Sequence, residues 1–104
     1  MIDFELRYPI GEFQCPTEVT SQQVKEWLED IRLLPQQLEA ALSGASEQVL
    51  AKSYRENGWT VKQLVHHITD SHMNSYIRFK LALTEYEPTI KPYNEADLAL
   101  LPDS

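Results

Sequence analysis

The sequence predicts an all-α protein organised around two long helices, and three observations carry the prediction. Thr20 and Gln23, then Thr60 and Gln63, repeat the Thr-x-x-Gln spacing of a capping box, in which side chains satisfy the amide donors of a first helical turn. Behind each box, apolar residues recur every three or four positions, which puts them on one stripe of a 3.6-residue helix. Outside the two helices, prolines and glycines interrupt any regular pattern, at Pro9, Gly11 and Pro16 before them and at Pro88 and Pro92 after them.

Taken in order, residues 1–19 read as an extended arm laid over a core, because proline fixes the backbone and glycine loosens it. Tyr8, Ile10 and Phe13 are its expected anchors. The first helix is expected over 20–43, with Val24, Trp27, Leu28, Ile31, Leu34, Leu38 and Leu42 on its stripe and Gly44 as its stop. Trp27 is expected as a core anchor. Pro35 lies inside this pattern, where a missing donor and a crowded ring predict a kink and not two separate helices. The stretch 44–59 is a loop in which Ser46–Leu50 adds one short turn and Trp59 plugs the end of the helical layer.

The second helix is expected over 60–85, with Val61, Leu64, Val65, Ile68, Phe79 and Leu83 on its stripe. That stripe thins between Ile68 and Phe79, where Ser71, His72 and Ser75 stand in place of leucines. Polar groups facing inward are costly unless paired, so a gap of this kind points to a cavity or a site. Residues 86–104 form a proline-broken crossover followed by a short helix capped by Asn94.

Composition narrows the function classes. A chain of 104 residues with 42% hydrophobic content is a single domain, 1–104, able to form a core, though a small one. Sixteen acidic against nine basic residues give a net charge of −7, which disfavours a nucleic-acid partner, since phosphate binding needs a cationic patch. With neither an apolar run long enough to span a bilayer nor an export leader, no membrane partner is expected and the chain reads as cytoplasmic. Cys15 is the only cysteine, has no histidine near it in sequence, and reads as an inert small residue.

Chemistry concentrates in one place. All three histidines, His66, His67 and His72, fall within seven positions of the second helix, with Asp70 among them. Two ligands on one helix meet a metal when three or four residues apart, and the histidines fail that test: His66 and His67 are adjacent, about 100° apart around the axis, and His72 is five positions beyond His67. Only Asp70 is well spaced, four from His66 and three from His67. One helix therefore supplies one or two ligands of a metal centre, and the others must come from elsewhere. The plain alternative is that two of the histidines are ordinary and that Asp70 holds an imidazole by a hydrogen bond. Arg55 and Arg78 read as solvated or ion-paired and not as substrate clamps.

The segment from Tyr54 to Lys80, with its Trp59-Thr60-x-x-Gln63-x-x-x-His67-x-x-Asp70-Ser71-His72 core, resembles the YfiT branch of the DinB-like superfamily, metal-dependent hydrolases related to bacillithiol transferases. Tyr8-Pro9-Ile10-Gly11-Glu12-Phe13 and Trp27-Leu28-Glu29-Asp30-Ile31 resemble the same branch, so the likeness spans essentially the whole chain. It implies a four-helix bundle with a long crossover, of which this chain represents half, with two long antiparallel helices and an N-terminal arm. It also implies a divalent metal, zinc or nickel, held by three histidines. The first matches His67; the other two form a His-x-x-x-His pair that this sequence lacks. The expectation is a hydrolase or thiol S-transferase, truncated before two of its metal ligands and inactive by itself, acting with a small thiol or electrophilic substrate. The alternatives are a non-enzymatic helical homodimer that has lost the metal site, and a dimer in which His67 and His72 of two copies form a new one.

Overall fold

The computed structural model describes residues 3–104, the side chains from Glu5 onward, so the first two positions of the expected arm lie outside the described residues. The described residues are helical, with no strand among them, and fall into two units, Met1–Ser46 and Glu47–Ser104.

In the first unit, α1 (Asp3–Arg7) precedes α2 (Ser21–Leu42). The short helix α1 corrects the expectation of an arm without helix. Its five residues contain no glycine or proline, and it stops ahead of Pro9, whose ring disfavours helical backbone in the residue before it. A turn follows, closed by the Gly11 amide donating to the Tyr8 carbonyl at 2.9 Å, and Gly11 takes a positive φ of 84° that suits glycine. Ile10, at 99% exposure, does not anchor the arm: it sits in this turn and points into solvent. Tyr8 is half-buried, and Phe13 meets Trp27 edge-on at 6.1 Å while remaining mostly exposed.

Thr20 caps α2 with both halves of the capping box formed: the Gln23 amide donates to Thr20 Oγ1 at 3.1 Å and the Thr20 amide to Gln23 Oε1 at 2.9 Å. The helix passes through Pro35 without ending. It stops at Ser43, whose amide donates to Ala40, and Gly44 follows with φ 75°. Trp27, Leu34, Leu38 and Leu42 are half-buried; Val24, Leu28 and Ile31 are exposed.

The second unit holds α3 (Glu47–Leu50), α4 (Val61–Thr84) and α5 (Glu95–Ala99), with α3 and α5 both packed on α4. The α5 cap is Asn94, whose Oδ1 accepts from the Asp97 amide at 3.0 Å. Ala99, 4% exposed, is the one fully buried hydrophobic residue among those described. The α4 stripe divides: Val61, Leu64, Val65 and Ile68 are half-buried, whereas Phe79 and Leu83, expected in the core, are exposed, Leu83 to 84%. Ala99 meets α4 at its first turn through Gln63, and nothing in this unit covers the last turns where Phe79 and Leu83 lie.

Candidate functional site

The start of α4 is the most tightly specified part of the second unit. An isolated antiparallel bridge joins Ser53 to Thr60, the Val61 amide donates to the Lys52 carbonyl at 2.8 Å, and the Tyr54 amide to the Trp59 carbonyl at 3.4 Å. Between these tethers the chain turns tightly. Asn57 adopts the left-handed conformation with φ 59°, which asparagine tolerates better than most residues. Gly58 is required by space: a Cβ there would lie 2.5 Å from Arg55 Cγ and 3.2 Å from the Arg55 carbonyl oxygen.

Thr60 caps the helix with a second complete capping box, and here the glutamine does more. Gln63 Oε1 accepts from the Thr60 amide at 2.9 Å while its Nε2 donates to the Ala99 carbonyl at 3.0 Å, tying α5 to the first turn of α4. Two turns later stands His67, half-buried, against the Trp59 indole at a centroid distance of 4.8 Å and a tilt of 46°. Neither His67 ring nitrogen has a hydrogen-bond partner among the described residues. An imidazole free at both nitrogens, with its ring braced, has the chemistry of a metal ligand.

The other sequence candidates separate from it. His66 is half-buried and points about 100° away around the helix. Asp70 is half-buried and its carboxylate holds no imidazole; its backbone carbonyl accepts from Asn74 Nδ2 at 2.8 Å. His72 lies about 140° from His67, beside an open groove of about 470 Å³ that it lines with Met73, Tyr76 and Ile77. Its Nε2 is sealed from solvent with no hydrogen-bond partner. Arg78 reaches the crossover, donating from Nη2 to the Lys91 carbonyl at 3.0 Å and lying over the Tyr93 ring at 5.8 Å, and so anchors this segment without an ion pair. Cys15 is exposed and free. Among the described residues no three His, Cys, Asp or Glu side chains converge to hold a metal ion. The residues present fit one donor of a metal centre and not a complete one.

The contact between Trp59 and His67 escaped the sequence reading, although a signal existed. Trp59 occupies the position just before the N-cap, from which an apolar side chain commonly folds onto the fourth residue of the helix, here Leu64. An indole is long enough to reach the next turn, and the residue waiting there is His67.

The DinB superfamily model matches residues 30–101, which span most of both long helices and the loop between them. The chain belongs to the DinB superfamily. It is 53% identical over 100 residues to a protein of Bacillus cereus strain B4264 named "putative metal-dependent hydrolase", and equally to one so named in Bacillus thuringiensis subsp. konkukian strain 97-27. Each alignment covers 96% of this chain and 58% of the relative. Among solved structures it is similar to YfiT from Bacillus subtilis, described as "a probable metal-dependent hydrolase with an unusual four-helix bundle topology", with a TM-score of 0.87 and 44% identity over 95% of this chain and 57% of that one. The all-α fold and the family expected from the sequence are thereby borne out. No helix among the described residues is long and apolar enough to cross a membrane.

Proposed function

We propose that this chain contributes His67 as one ligand of a divalent metal centre in a metal-dependent hydrolase or thiol S-transferase. The observation that carries the reading is the His67 imidazole, braced by Trp59 and without a protein partner on either nitrogen. Its relatives' names support the same class. With no further donors converging on it, a complete centre draws its other ligands from outside the described residues. A zinc or nickel ion in such a centre supplies Lewis acidity, lowering the pKa of a thiol or water that attacks an electrophile. His67 contributes a neutral nitrogen donor at a fixed place on α4, and Trp59 excludes water from one face of its ring. Competition of the protein with a coloured zinc chelator tests the reading. Uptake lost in His67→Ala and kept in His66→Ala and His72→Ala is expected; uptake that survives His67→Ala sinks it.

A second reading is favoured by the uncovered apolar residues, Val24, Leu28 and Ile31 on α2 and Met73, Tyr76, Ile77 and Leu83 on α4. Two copies related by a two-fold axis would bury these stripes in a bundle without any metal chemistry. Sedimentation equilibrium checks this: a dimer supports it, and a folded monomer removes it.

A further inference from the structure

We infer that Trp59 is a positioning residue for the metal-ligating imidazole of His67, an inference that rests on the ligand reading above and deepens it. Nothing in a capping box requires an aromatic ring at this position, and the usual apolar partner, Leu64, is only half-buried and available. The indole instead meets an imidazole at 4.8 Å, inside the range in which aromatic rings attract one another.

The loop delivers the indole to that place and holds it there. Residue 59 is fixed by its own carbonyl, which accepts from the Tyr54 amide, and the next residue is fixed by the Ser53 bridge and the capping box. On the other side, Gly58 leaves no room for a side chain and its amide donates to the Arg55 carbonyl at 3.1 Å. An aromatic ring mounted on so constrained a backbone restricts the rotamers of whatever it touches. The imidazole consequently gives up little rotational freedom when it ligates, and lost side-chain freedom is a standard cost of binding. A second effect has the same sign. An imidazole that binds a cation takes on positive character, and the face of an indole attracts positive charge more strongly than any other side-chain ring. Trp59 therefore favours the metal-bound form of His67 over the free form.

The test uses the whole chain with Trp59→Phe and Trp59→Leu. Both keep apolar bulk in the loop, and only the first keeps a ring face. Circular dichroism verifies the fold, and Ni2+ is titrated while the ring resonances of the three histidines are followed by NMR. The expected result is that Trp59→Leu weakens Ni2+ at His67 by roughly three- to thirty-fold, the range of a ring–cation contact from exposed to desolvated. Trp59→Phe retains most of the wild-type affinity, and the His66 and His72 resonances are unchanged in both. Leu and Phe variants that bind Ni2+ equally well at His67 overturn the inference and leave the ligand reading standing. If wild-type protein shows no Ni2+ at His67, the ligand reading fails and this inference fails with it. Should Trp59→Leu unfold, the Phe variant decides, because loss of Ni2+ binding in a folded Trp59→Phe protein contradicts the role assigned to the ring face.

Discussion

The two long helices begin with the same four-residue device and are put to different uses. At α2 the residue before the cap is Val19 and the fourth helical residue is Val24, and both are exposed, as are the capping-box bonds. At α4 the corresponding residue is Trp59, the box is partly buried, and Gln63 extends it to a carbonyl 36 positions away. Local sequence sets where each helix starts. What the start is used for depends on partners distant in the chain, and only α4 has them: a loop clamp before it, α5 beside it, and an imidazole within reach of its N-terminal aromatic ring.

That contrast breaks first at the two glutamines. Gln63→Ala removes half a capping box and the hydrogen bond to Ala99, leaving a partly buried carbonyl without its donor, and is expected to cost about 2–3 kcal/mol in urea unfolding. Gln23→Ala removes an exposed half-box and should cost under about 1 kcal/mol. Equal losses would mean that the non-local bond contributes nothing and that the two starts are equivalent after all.

His72 sharpens the comparison within α4. Its sealed, unpartnered Nε2 next to Met73, Tyr76 and Ile77 marks a polar group in an apolar setting, and His72→Leu should leave stability unchanged or raise it by about 1 kcal/mol. A fall of more than about 1 kcal/mol on thermal or urea unfolding would show that this nitrogen has a partner.

The smallest effect belongs to α2. Glu29 accepts from Arg32 on the exposed face, with Arg32 Nε donating to Glu29 Oε2 at 2.8 Å, and this hydrogen bond, with the guanidinium charge, holds the Glu29 carboxyl below its usual range. A carboxyl depressed in the folded state stabilises above its unfolded pKa and loses that contribution as pH falls through its folded value. Melting temperatures of wild type and Glu29→Gln should therefore differ slightly at neutral pH and converge in acid below the ordinary glutamate range. A gap that widens on acidification would reverse the sign of the interaction.

Much of this architecture was legible in the residues. The two Thr-x-x-Gln boxes located the starts of both long helices, Gly44 and Asn94 marked a stop and a start, and Pro35 was read as an interruption that does not divide its helix. Periodicity misled at two kinds of place. It put Phe79 and Leu83 in a core, because a stripe reports which side chains share a face and not what covers that face. It also missed α1, where five ordinary helix formers lie among prolines and glycines that dominated the reading of the arm. At the candidate site, spacing correctly separated His67 from His66 and His72. Spacing has no information about which loop side chain lies against a ring, so Trp59 had to be seen in space.

The central claim is that His67, alone of the three histidines, is presented as a metal ligand, and paramagnetic Ni2+ added to the 104-residue chain tests it most directly. The account predicts that the ring resonances of His67 broaden first and that the effect disappears in His67→Ala. Broadening that begins at His66 or His72, or that is uniform across all three, would contradict it.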